Sequence, residues 1–266
     1  MSVRIAAVQM ISGPEVGANL VEAARLIDEA AAEGAQLVAL PEYFPMIGAS
    51  DAARLDAREQ DDGGPIQNFL AETAKRHGIW LVGGSLPFAA DDPGKQRNTC
   101  LVYDETGRRV SRYDKIHLFD FARGEERYDE SLTIEPGTEV AAIDSPFGRM
   151  GLAICYDLRF PELFRAMGAV DLLVLPAAFT ETTGRAHWEL LLRARAVENQ
   201  CYLLAAAQGG RHPNGRMTHG NSMIVDPWGE ILARLDKGPG VCVANIDPAR
   251  IMDVRASLPA LKHRKL

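Results

Sequence analysis

Three residues of this chain have the types and settings from which hydrolytic chemistry is built: a cysteine, a glutamate and a lysine. Cys155 directly follows the apolar run Arg149-Met150-Gly151-Leu152-Ala153-Ile154 and precedes a segment opened by Pro161. A thiolate is a strong nucleophile, and backbone N–H groups at a nearby helix start favour a thiolate or an oxyanion. A buried structural thiol is the other reading of Cys155. Glu42 follows Leu37-Val38-Ala39-Leu40-Pro41. Burial beside Tyr43, Phe44 and Pro45 would raise its pKa and suit it to general-base work, whereas an exposed loop glutamate would do nothing of the kind. Lys115 lies in Tyr113-Asp114-Lys115-Ile116-His117-Leu118-Phe119. On a half-buried strand Tyr113, Lys115 and His117 share one face, so the ammonium could enter a pocket and stabilise an oxyanion. An edge-strand lysine that guards against aggregation is the alternative. His117 reads as a structural histidine. Glu130 ends the polar stretch that follows and says little by itself.

The elements that would position these residues alternate. Val3–Met10 reads as a buried strand. A helix follows, with Asn19 as candidate cap and Leu20, Ala23, Ala24, Ile27, Ala30 and Ala31 at helical spacing as far as Gly34. Leu37–Leu40 is a second strand, completing a parallel βαβ unit. A helix over Pro65–His77, a strand over 79–84, and strands over 98–103 and 110–118 come next. Residues 119–138 read as a long irregular loop, which in a compact domain is often functional. From residue 149 a related pattern restarts: strand 149–154, helix 161–167, strand 171–176. A helix from Ala186 to about Asn199 and strands 201–207, 222–226, 230–235 and 241–246 complete the chain. Leu37-Val38-Ala39-Leu40-Pro41 resembles Leu172-Leu173-Val174-Leu175-Pro176. An internal duplication and a chance likeness both remain open. No linker-like stretch divides the sequence, so residues 1–266 read as one α/β domain, with pseudo-symmetric halves about 1–145 and 146–266 if the duplication holds.

Composition narrows the function. With 29 Lys+Arg against 36 Asp+Glu the formal charge is −7, and no basic block occurs, which argues against nucleic-acid binding. No apolar window is long enough to span a membrane, and the N-terminus lacks a signal peptide's apolar region, so a cytoplasmic location is expected. The four cysteines form no CxxC pair, and Cys100, Cys201 and Cys242 lie in apolar runs that suit small hydrophobes in strands. No zincin, serine-elbow, Walker or dinucleotide motif is present, and His212 and His219 lie in a polar loop with no cysteine partner.

A Glu after a strand ending in Leu-Pro, a Lys in Tyr-Asp-Lys-Ile-His-Leu-Phe, and the run Gly151-Leu152-Ala153-Ile154-Cys155-Tyr156-Asp157-Leu158-Arg159-Phe160-Pro161-Glu162 occur here in that order. Together they strongly resemble the nitrilase superfamily of carbon–nitrogen hydrolases, over essentially the whole chain. The resemblance implies a four-layer α-β-β-α sandwich that pairs by helix packing into a homodimer or homotetramer. It implies Glu42, Lys115 and Cys155 as catalytic residues, with Glu130 as a second glutamate holding the lysine. In the implied mechanism Glu42 takes the thiol proton, Cys155 attacks an amide carbonyl, and Lys115 with the next backbone N–H holds the oxyanion. Glu42 returns the proton to departing ammonia, and water hydrolyses the thioester. No metal or organic cofactor is needed. The stretches Ala186–Tyr202, Ala205–Gln208 and Met223–Gly229 look like the Nit-type amidases, most of all the branch that hydrolyses deaminated glutathione. An omega-amidase acting on α-ketoglutaramate, another carbamoyl or nitrile hydrolase, and a silent dimeric scaffold are the alternatives. A small carboxylate-bearing amide calls for a cation in the pocket. Arg159 is the candidate, beside Tyr156, unless it is tied up by Glu162 or Asp157. The segment Phe121–Tyr128 and Arg185 depart from relatives and are expected at the pocket mouth.

Overall fold

A computed structural model describes residues 2–48, 50–61 and 63–265. The first half supplies β1 (Val3–Gln9), α1 (Val16–Ala32), β2 (Leu37–Ala39), α2 (Asp51–Asp56), α3 (Pro65–His77), β3 (Trp80–Val82), β4 (Leu86–Ala89), β5 (Gln96–Tyr103) and β6 (Arg109–Asp114). A hairpin of β7 (Asp120–Arg123) and β8 (Glu126–Asp129) follows. The second half supplies β9 (Ala142–Ser145), β10 (Gly148–Leu152), α4 (Pro161–Ala166), β11 (Leu172–Ala177), α5 (Glu181–Asn199), β12 (Tyr202–Ala207), β13 (Met223–Val225), β14 (Ile231–Arg234), β15 (Gly240–Ile246) and α6 (Pro248–Ser257). One sheet runs β15-β1-β2-β3-β5-β4 with β6 on β5, and the other runs β14-β13-β12-β11-β10-β9. The strands β1, β2 and β3 are parallel neighbours, as are β10, β11 and β12.

The period of two along β1 builds the layers. Ile5 and Ala7 face one core with Leu152, Val174 and Leu203 of the opposite sheet; Ala6 and Val8 face a second core with Leu26 and Ile27 of α1 and Leu70 of α3. Both faces of the strand are therefore covered. On the far side, Trp188 and Leu192 of α5 and Phe164 of α4 join the first core. Helices flank two facing sheets, which is the α-β-β-α sandwich. Each large aliphatic side chain buried this way contributes roughly 1.5–3 kcal/mol.

Several boundaries differ from the sequence reading. Asn19 does not cap α1, which begins three residues earlier, at Val16, behind Glu15. Its amide is buried and clamps the entering chain instead, donating to Gly13 O and Pro45 O, both at 2.8 Å, and accepting from Gly13 N at 2.9 Å. Helix α5 starts at Glu181 rather than Ala186, with Thr180 Oγ1 accepting from Thr183 N. Its first turn holds two threonines and Gly184, weak helix formers. The glycine is there because a Cβ would lie 2.3 Å from His219. The stretch 119–138 is not structureless: Gly124, at φ 63°, turns the two-residue hairpin loop. Short β4 and β9, and helices α2 and α6, carry too little periodicity to be read in advance.

Candidate active site

Two sharp turns bring the chemistry together. Strand β2 ends just before Glu42, and Tyr43 takes φ 51°. Gly84 lies beneath this turn, where a Cβ would sit 2.2 Å from Pro41 O, so no side chain is tolerated there. Beyond β10, Cys155 takes φ 49° and opens a 3-10 turn over Cys155–Arg159. A non-glycine residue in this region is strained, and the surrounding bonds must hold it. Asp157 does so. Its wholly buried carboxylate accepts from Ile154 N at 2.9 Å, Tyr113 Oη at 2.7 Å and His117 N at 3.0 Å, and lies 2.7 Å from His117 Nδ1. Burial and then the Asp157 charge push the Tyr113 phenol upward, so it stays a donor. Phe160 stacks on the His117 ring at 3.7 Å between ring centroids. His117 is thus a structural prop, as its sequence setting indicates. Asp157→Ala is expected to cost about 3–5 kcal/mol, because it strands several buried donors at once. Urea unfolding at pH 7 measures this; a loss under 1 kcal/mol would mean that the turn is held elsewhere.

Lys115 lies just beyond β6, not within a strand reaching Leu118. Its side chain leaves those of Tyr113 and His117 to Asp157 and goes to two glutamates. Lys115 Nζ donates to Glu42 Oε1 at 2.9 Å and to Glu130 Oε2 at 2.8 Å. Only 1% of the lysine side chain is exposed. Burial opposes its charge, but Glu130 and Glu42 outweigh that and hold the ammonium well above the usual lysine range. Glu130 also accepts from Phe119 N at 2.8 Å, so it fixes both the lysine and the entry to the hairpin. Asn98, which nothing in the sequence distinguishes, donates to Glu42 Oε1 at 2.9 Å. It stands on β5, where only cross-strand pairing reveals its position.

The Cys155 thiol lines the same cavity as the Glu42 carboxylate, the Lys115 ammonium and Ala178. Burial first, then the Glu42 charge, raise the thiol well above its ordinary pKa, with Lys115 acting in the opposite sense. The resting sulfur is therefore a thiol, and a base must take its proton as a carbonyl arrives. Burial pushes Cys201 and Cys242 up to about 12 and Cys100 higher, and none of them lines the reactive cavity.

That cavity is lined by Glu42, Lys115, Cys155 and Glu130 together with Tyr156 and Arg159. All six site residues expected from the sequence line one space. Arg159 makes no ion pair with Glu162 or Asp157. Its guanidinium lies 5.6 Å from the Tyr156 ring and 5.3 Å from the Phe179 ring, and its Nη1 is 3.2 Å from His187 Nδ1. Arg185 does not reach the pocket mouth: its side chain is 77% exposed and lies 3.3 Å from Glu181. The Phe121–Tyr128 hairpin does reach the site. Phe119 packs against Phe121, Tyr128 and Tyr156, while Glu126 accepts from Thr182 Oγ1 at 2.7 Å. His212 and His219 do not converge; His212 is buried between Ser12 O and Thr218 Oγ1. Among the described residues no cluster of His, Cys, Asp and Glu is arranged to hold a metal ion, and no helix is long and apolar enough to cross a membrane.

Comparison with known proteins adds three relatives and a family. Residues 4–256 match the carbon-nitrogen hydrolase family. A deaminated glutathione amidase of Synechocystis sp. is 43% identical over 265 residues, covering 97% of this chain and 97% of the relative. An omega-amidase of Xenopus laevis is 39% identical over 265 residues, covering 98% of this chain and 95% of the relative. Among solved structures, the NitFhit protein of Caenorhabditis elegans superposes with a TM-score of 0.89 at 40% identity, covering 99% of this chain and 65% of that one.

Proposed function

This chain belongs to the carbon-nitrogen hydrolase family, and on that premise we propose that it is a deaminated glutathione amidase working through a Cys155 thioester. Hydrolysis of non-peptide carbon–nitrogen bonds comes with the family. The observation that carries the mechanism is the convergence of Glu42, Lys115 and Cys155 on one cavity, with Lys115 and Asn98 holding the Glu42 carboxylate in place.

In this reading Glu42 takes the thiol proton as sulfur attacks the amide carbon. The developing oxyanion is met by the Lys115 ammonium and by the N–H of Tyr156, a first-turn donor without an intrahelical acceptor. Glu42 then delivers its proton to the leaving nitrogen, the carbon–nitrogen bond breaks, and the thioester remains. Water, deprotonated by Glu42, attacks the thioester and releases the acid, and the proton returns to sulfur. Glu130 holds Lys115 and stays outside the bond-making steps. Arg159, over the rings of Tyr156 and Phe179, receives a carboxylate of the acyl group.

The chemistry of this substrate corrects one expectation. Deaminated glutathione has only secondary amides, so its leaving group is the amine of cysteinylglycine, and ammonia leaves only from a primary amide such as α-ketoglutaramate. The near-equal likeness to an omega-amidase keeps that second substrate in view. The two share an acyl group and differ in the amine. Amine release from deaminated glutathione and ammonia release from α-ketoglutaramate, measured on one preparation, separate them. The expected preference for deaminated glutathione in kcat/KM is about 100-fold, or roughly 2.7 kcal/mol of transition-state binding. A preference for α-ketoglutaramate makes the chain an omega-amidase, and turnover of neither sinks the substrate assignment.

A further inference from the structure

Arg216 stands between two cavities. The inner one is the reactive cavity; the outer lies beside the β7–β8 hairpin. The two share Tyr43, Phe119, Glu130 and Arg216. The guanidinium of Arg216 lies 5.0 Å from the Tyr128 ring, and its Nη2 donates to Ala178 O at 3.3 Å. Its Nε is buried without an acceptor, and among the described residues no carboxylate lies within 4 Å of this guanidinium. The hydroxyl of Tyr43, a residue only 6% exposed, is a second buried polar atom without a partner on the same wall. Buried donors left unsatisfied are costly, and two converging on one cavity wall mark the place of a ligand acceptor.

Arg159 is the other guanidinium of the inner cavity, and it too lacks a carboxylate within 4 Å among the described residues. Two guanidinium groups, each packed on an aromatic ring and neither neutralised by the protein, suit a ligand with two separated carboxylates. Of the two guanidinium groups, Arg216 alone lines both cavities. An acyl arm placed beside Cys155 and ending on Arg159 would leave Arg216, on the side of the outer cavity, for the amine arm.

We propose that Arg216, with the Tyr43 hydroxyl, receives a carboxylate on the amine side of the substrate, so that the site selects amides carrying one carboxylate on each side of the scissile bond. This deepens the proposed function and rests on it: deaminated glutathione is such a dianion, whereas α-ketoglutaramate has its single carboxylate on the acyl side. Arg127 also lines the outer cavity, but it is exposed and does not border the inner one.

The test compares deaminated glutathione with the same compound amidated at its glycine carboxylate. Wild type is expected to prefer the free acid by about 10–100-fold in kcat/KM, the range of a charge-assisted hydrogen bond. In Arg216→Gln the preference should fall below about threefold through a raised KM, with the amidated compound turned over within about threefold of the wild-type rate. Arg127→Gln should keep the wild-type preference. Equal losses on both compounds would assign Arg216 a structural role through Ala178 and overturn the inference. So would a wild type without preference, or a preference that survives Arg216→Gln; in both cases the amidase reading would stand. Wild-type turnover of neither compound would overturn the substrate reading and this inference together.

Discussion

Glu42→Gln is expected to lower turnover by about 10²–10⁴-fold, the usual contribution of a positioned general base, with the fold intact. Glutamine keeps the shape of the glutamate, and its carbonyl can still accept from Lys115 and Asn98. What it cannot do is accept the thiol proton or return one to the leaving nitrogen. The same substitution should have the opposite sign on simple alkylation. In the wild type, burial and the Glu42 charge hold the Cys155 thiol high, and Lys115 pulls it down. Removing the carboxylate leaves burial and Lys115, so the thiol pKa falls. Iodoacetamide labelling of Cys155, followed by intact mass across pH, should therefore accelerate at lower pH in Glu42→Gln than in wild type. A hydrolysis loss of less than tenfold would remove Glu42 from the role of base. An unshifted alkylation profile would remove it from the electrostatics of the thiol.

Lys115→Met should damage both folding and chemistry. The substitution keeps much of the apolar stem but leaves Glu42 and Glu130 facing each other in a cavity wall with no cation between them. Removing one member of a buried ion pair typically costs about 3–5 kcal/mol. Turnover in the fraction that folds should fall by a further 10²–10³-fold or so, the order seen when an oxyanion donor is lost. The pH sign follows from the raised lysine. Its stabilising contribution is fully present below the free-lysine value, roughly pH 10.4, and is lost only as pH rises beyond that through the folded value. Between pH 6 and 8 the wild type should thus show no stability change attributable to Lys115. Urea unfolding of wild type and variant at pH 7, with kcat on the folded fraction, checks both parts. A variant of wild-type stability would mean that the two glutamates do not depend on this cation.

Much of the site was legible in the sequence because its residues sit at strand ends. An apolar run that stops at proline, as before Glu42, or at a lone cysteine, as at Ile154-Cys155, fixes where the chain leaves the sheet. The topology then places both exits at one rim. Asn98 was not legible, since a polar residue inside a strand gains meaning only from the strand beside it. Asp157 was visible within the cysteine motif, but its grip on Tyr113, His117 and Ile154 depends on the fold of the turn. The β7–β8 hairpin escaped for a different reason. Only Phe121 and Tyr128, a cross-strand pair, are large and apolar in it, too few to make a period of two. Arg185 misled because a departure from relatives says nothing about direction, and on α5 it turns to solvent and Glu181. Arg216 drew no notice in a polar loop; its position between two cavities emerges only in three dimensions.

The central claim is a covalent intermediate on Cys155. Acid-quenching wild-type enzyme during its first turnover of deaminated glutathione, then measuring the mass of the peptide that carries Cys155, tests it most directly. The mechanism predicts a 2-oxoglutaryl thioester on Cys155 that rises as cysteinylglycine is released and decays as the acid forms. Release of cysteinylglycine with Cys155 unmodified at every time point would contradict it and point to direct attack by water.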